Sequence, residues 1–167
     1  MTTPDDRTGL PDALRVLLRE YPRAGWEAHP NFDGLTRFWL ERHLMFRELL
    51  ARLSKDSEAF LDRRAAPEAF GGRLARLGGL FLNELHGHHQ IEDHHYFPVL
   101  AAQDRRLADG FALLDADHHA LDGRLDALAG AANAVLRALP GPAPAARDAA
   151  GALHAALDRF GGTLERH

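Results

Sequence analysis

The chain contains no cysteine, and that absence removes disulfides, thiolate zinc sites, iron–sulfur clusters and thiol nucleophiles together. Any metal it holds must be bound by imidazole and carboxylate. Lysine is almost missing too. With Lys55 alone and a formal net charge of −4, there is no basic face for nucleic acid. Ser54 and Ser57 are the only serines, and no catalytic nucleophile stands out. Val16, Ile91, Val99 and Val135 are the only apolar β-branched residues in 167, while Leu and Ala abound. Sheets are built largely from such residues, so the class expected is all-α. No apolar run approaches the roughly 20 residues of a membrane-spanning helix, and Met1–Asp12 lacks a signal-peptide centre. The sequence therefore reads as a soluble, cytoplasmic protein with one main domain and neither nucleic-acid nor membrane partners.

What is present is a set of four apolar stripes at helical spacing. Leu35, Trp39, His43, Phe46, Leu50 and Leu53 recur at steps of three and four, opening close to Asp33. Leu74, Leu77, Phe81, Leu85, His88 and Glu92 form the second, between Pro67 near its start and Pro98 near its end. The third runs Leu107, Phe111, Leu114, His118, Leu121, Leu125, Leu128, Ala132, Val135, with His118 its one polar member. Leu153, Leu157, Phe160, Leu164 and His167 make the fourth. A helical stretch is expected to run on through 54–66 before Pro67, and Leu139-Pro140-Gly141-Pro142-Ala143-Pro144 breaks the third helix from the fourth. Residues 1–30, with a short apolar stretch at 14–18, are expected to form an N-terminal arm, and residues 31–167 the bundle.

Each stripe carries one histidine, and helix rise places the four at one height. His43 and His118 stand 10 and 11 residues after Asp33 and Leu107. At 1.5 Å per residue that is roughly 15 Å from the bottom of two ascending helices. His88 and His167 stand 21 and 22 residues after Pro67 and Ala145, roughly 32 Å below the top of two descending ones. In an up-down-up-down four-helix bundle these depths coincide. One inward histidine is commonly a hydrogen-bonded core residue, but four in a layer with a seam glutamate give five polar groups a shared reason to be buried. That reason is a metal ion.

Histidine and carboxylate four residues apart on a helix point the same way. His88 and Glu92 have that spacing in the seam, and His118 and Asp122 repeat it with Asp122 on the flank. Such donors suit iron, zinc, copper or nickel. Over about residues 33–167, and most specifically at His88-His89-Gln90-Ile91-Glu92-Asp93-His94-His95-Tyr96-Phe97-Pro98, the chain resembles the hemerythrin-like, or HHE-type, family. The resemblance implies a non-haem di-iron site with His43, His88, His118 and His167 as terminal ligands, Glu92 as bridging carboxylate, and Asp122 where some members place a further ligand. The family usually carries a second bridging Glu four residues beyond its last His, whereas this sequence ends at His167. The expectation is a C-terminus cut short and a second iron held weakly or absent, with zinc able to substitute.

Three classes of function fit this reading. The favoured one is binding or sensing of O2 or another small diatomic molecule, with a link to iron or redox homeostasis. A di-iron enzyme, peroxidase-like or handling nitric oxide, is the second; a ferritin-like iron oxidase is its structural rival, because Glu92-x-x-His95 and Asp115-x-x-His118 imitate that spacing. A metal-free helical interaction module is the third. Tyr21 and Trp26 of the arm are expected either to cover the mouth of the site or to pack as a plain hydrophobic cap at that end of the bundle.

Overall fold

The computed structural model describes residues 7–9, 11 and 15–166, and they are helical wherever they are regular, with no strand among them. A short helix α1, Val16–Glu20, and a single turn at Arg23–Gly25 make up the arm. Helix α2 spans Gly34–Leu61 and starts where the sequence places it, because the Asp33 carboxylate accepts from the Thr36 backbone N–H at 2.8 Å. That bond holds the exposed Asp33 carboxyl below its ordinary range. The helix runs past Ser54 and ends at Leu61, where Arg63 takes a left-handed φ of 59° and Arg64 N–H closes on the Ala59 carbonyl at 2.7 Å.

Pro67 opens the next helical run, which continues to Gln103 through two wide turns. Its parts are α3 at Pro67–Arg73, a π turn at Leu74–Gly78, α4 at Gly79–Ile91, a π turn at Glu92–Tyr96, and α5 at Phe97–Gln103. A π turn takes in one residue more than an α turn, so it shifts the phase of everything beyond it. Helix α6 spans Ala108–Ala138 and α7 spans Ala143–Arg166. The break between them is tighter than the proline pattern suggests. It closes with Gly141 N–H on the Ala138 carbonyl, and Pro144 already lies in the first turn of α7, where its missing N–H does no harm.

Helix α7 packs along both α2 and α6, and the 67–103 run contacts α2 and α6 in turn. Phe46, Phe81, Leu85, Leu121, Leu153, Leu157 and Phe160 are buried in the apolar part of the core. Phe81 meets Phe46 and Phe160 edge-on at 6.5 and 5.5 Å, while Phe60 stacks on Phe70 at 4.6 Å towards the far end. Each such ring contributes about 1.5–3 kcal/mol on leaving water. Gly71 lets the run pass close to α6: a Cβ there would lie 2.8 Å from Cδ1 of Leu139, which would have to move aside. Polar ties set the helices' register beside the core: Arg42 with Glu84 at 2.5 Å joins α2 to α4, and Arg124 with Thr163 at 2.9 Å joins α6 to α7. No described helix is long and apolar enough to cross a membrane.

Candidate metal centre

Above the phenylalanine layer the core turns polar. His88 and His118 are each only 1 % exposed, and His43 and Glu92 are partly buried beside them. Their positions follow from the stripes: His43 lies one turn before Phe46 on α2, His88 one turn after Leu85 on α4, and His118 one turn before Leu121 on α6. Nε2 of His88 lies 3.2 Å from Nε2 of His43 and 3.3 Å from Oε1 of Glu92. One donor atom from each of His43, His88 and Glu92 falls within 4.8 Å of the others. Two atoms bound at about 2.1 Å to one first-row metal stand roughly 3.0–3.4 Å apart, so this donor set fits a cation. The other Glu92 oxygen, Oε2, faces Nε2 of His118 at 3.4 Å. Glu92 thus presents its two oxygens to two different histidines.

Hydrogen bonds behind the ring nitrogens select the tautomers. Nδ1 of His43 donates to the Trp39 carbonyl at 2.8 Å, and Nδ1 of His118 donates to the Asp93 carboxylate at 2.6 Å. With Nδ1 carrying the proton in both, each Nε2 keeps its lone pair turned to the centre. Burial, with the Asp93 charge adding to it, pushes the Glu92 carboxyl up to about 8. Burial likewise raises Asp93 to about 6, and Asp115 acts in the same direction. A cation would relieve both.

Aromatic rings wall the layer. Trp39 lies on His88 with centroids 4.5 Å apart, Phe46 lies beneath His88 at 5.2 Å, and Phe97 stacks over His118 at 5.6 Å. His89 is as buried as His88 and stacks on His118 at 4.0 Å, nearly parallel. His89 and Asp93 lie outside the four apolar stripes of the sequence. The signal for them was the doubled spacing, since His89 and Asp93 repeat the step of His88 and Glu92 one residue later. His89, four residues after Leu85, falls inward on regular α-helix, and Asp93 stands within the π turn at Glu92–Tyr96.

Other sequence expectations are placed elsewhere. Asp122 sits on the flank of α6, with its carboxylate 3.4 Å from Nδ1 of the exposed His86 and not among the converging donors. His167 lies outside the described residues. The ferritin-like spacings do not converge either: His95 is exposed, and the Asp115 side chain is half exposed beside His119. Tyr21 and Trp26 do not cover the centre, because the arm folds on itself. Trp26 Nε1 donates to the Tyr21 carbonyl at 2.6 Å, and Tyr21, half exposed, lies edge-on to His29. The two residues line a groove near 940 Å³ with Phe32, Leu100 and Leu107, and none of the converging donors borders it. The segment that does come close is earlier. Arg7 pairs with both oxygens of Asp117, a fully buried residue next to His118, so a buried ion pair from the far N-terminal side braces α6.

No curated protein and no solved structure matches this chain. Residues 34–167 match the family model of the hemerythrin HHE cation binding domain. An all-helical chain with imidazole and carboxylate donors converging inside it agrees with that match, and the chain belongs to the hemerythrin HHE cation-binding family.

Proposed function

We propose that this protein holds non-haem iron in its histidine and carboxylate layer and uses it to bind or sense O2 or another small diatomic molecule. The observation that carries the reading is the approach of His43 Nε2, His88 Nε2 and a Glu92 oxygen to one another. In this reading His43, His88 and Glu92 hold one metal. Glu92 Oε2, His118 and the expected ligand His167 extend the donor set towards a second, more weakly held one. Iron bound there supplies an open coordination position for a small ligand. The chain's own part is to fix the tautomers through Trp39 and Asp93, and to exclude water with Trp39, Phe46 and Phe97.

The same reading takes α2, the 67–103 run, α6 and α7 as an up-down-up-down bundle over residues 31–167, with residues 1–30 as an arm. The position of α7 along both α2 and α6 supports it. Because zinc suits these donors equally, the test must identify the metal. Protein purified from its own host is expected to carry iron, and its reduced form to change its visible spectrum reversibly as O2 or nitric oxide is added and removed. Protein without iron would overturn the metal assignment. Iron-loaded protein that ignores both gases but turns over peroxide would replace the binding role with the enzymatic one.

A further inference from the structure

Trp39 serves the centre with its carbonyl, which accepts from His43, and with its ring, which covers His88. A third group of the same residue has no such task. The indole Nε1 is shut off from solvent and has no hydrogen-bond acceptor among the described residues. The other tryptophan is different: Trp26, at the surface of the arm, gives its N–H to the Tyr21 carbonyl. Buried donors are nearly always satisfied, and one that is not invites an acceptor from outside the chain. The indole is packed among the rings of Phe38, His88 and Tyr96, so its N–H lies in the wall of the centre, next to a residue of the converging donor set.

Resting on the metal-binding reading above, we infer that Trp39 Nε1 is the hydrogen-bond donor to a small ligand held at the centre. The consequence is selectivity. A donor in an apolar wall favours anionic, strongly accepting ligands such as azide over nitric oxide, which accepts weakly. Trp39 is then a specificity-determining residue as well as a wall.

Trp39→Phe keeps an aromatic ring against His88 and the backbone carbonyl for His43, and removes only the N–H. In iron-loaded protein, the azide Kd read from the visible spectrum should rise about tenfold, while the Kd for nitric oxide moves less than twofold. Trp26→Phe should change neither. Equal azide affinity in Trp39→Phe and the parent, or equal weakening of azide and nitric oxide, would overturn the inference. Zinc-loaded, 15N-labelled protein gives a second reading through its two indole N–H resonances. Azide should move the Trp39 signal and leave that of Trp26 in place, and a stationary Trp39 signal would sink the idea. Failure to take up any metal would overturn the parent reading along with this one, whereas metal uptake with an indifferent Trp39 overturns this one alone.

Discussion

His88 with Glu92 and His118 with Asp122 have the same spacing, and the fold sends their carboxylates in opposite directions. Glu92 turns inward, with an oxygen 3.3 Å from His88. Asp122 turns outward to His86, in a pair about half exposed on both sides. The difference lies in where each histidine sits on its own stripe. On α4 the buried series Phe81, Leu85, His88 steps by four and then three, so four more residues return to the middle of the stripe. On α6 the series His118, Leu121, Leu125, Leu128 places His118 at one edge. At about 100° per residue, Asp122 then falls roughly 80° from the stripe's centre and Glu92 roughly 10° from its own. Spacing of four brings two side chains to one face, and the phase of the stripe decides whether that face is inside.

The largest contrast is expected from removing each carboxylate. Glu92→Ala should lose most bound metal, because it deletes the residue that faces both His88 and His118. The metal-free variant should fold at least as well as the parent, since the group removed is one whose ionised form burial disfavours. Metal analysis beside thermal denaturation checks both parts. Retention of full metal by Glu92→Ala would end its assignment as a ligand.

Acidity sharpens the comparison next. Glu92 is raised from 4.5 to about 8 by burial and by Asp93, and Asp93 is raised to about 6 chiefly by burial. A raised carboxyl contributes stability that is fully present below its unfolded value and is lost as pH climbs through its folded value. The metal-free protein should therefore weaken between about pH 4.5 and 8. A cation must displace the Glu92 proton, so metal affinity should rise over the same window and level off above it. Ordinary imidazoles lose their protons around pH 6.5, so from about pH 7.5 to 8 Glu92 is left as the main source of the slope. Melting temperatures of zinc-loaded and metal-free protein, compared from pH 5 to 9, should diverge up to about pH 8. A constant gap from about pH 7.5 to 8 would show that Glu92 is ionised without metal.

Asp93→Asn should have a smaller effect than Glu92→Ala, because Asp93 orients His118 and does not itself join the converging donors. Loss of such a carboxylate behind a ligating histidine typically weakens metal binding by about 10–100-fold, and the expectation here is a weakening in that range with helicity kept. An unchanged affinity would mean that the bond to His118 Nδ1 does not select the tautomer. This residue also marks the limit of what the sequence discloses. The stripes placed Leu74, Leu77, Phe81, Leu85 and His88 inside, together with His118 and with Leu153, Leu157, Phe160 and Leu164 of α7, and all are buried. Asp93 escaped because it lies in the π turn at Glu92–Tyr96, which a reading at a constant 3.6 residues per turn does not carry, and His89 because the stripe was drawn through its neighbour His88, although four residues after Leu85 is equally an inward step. Asp117 escaped for another reason. Its partner Arg7 lies 110 residues away, and a pairing between distant segments leaves no trace in local spacing.

The smallest effect is expected at the other carboxylate. Asp122→Asn replaces a half-exposed group whose ion-pair partner, His86, is itself exposed at 3.4 Å. Pairs of this kind contribute about 0–1 kcal/mol and fade with salt. Asp122 is also not among the donors that meet near Glu92. Metal content should match the parent, stability should move by no more than about 0.5 kcal/mol, and the small change should vanish at high ionic strength. A clear loss of metal in Asp122→Asn would mean that α6 turns about its axis when a cation arrives, carrying Asp122 inward and His118 towards the middle of its stripe. The two His-x-x-x-carboxylate segments would then be equivalent in the loaded protein, and their difference would belong to the metal-free state alone.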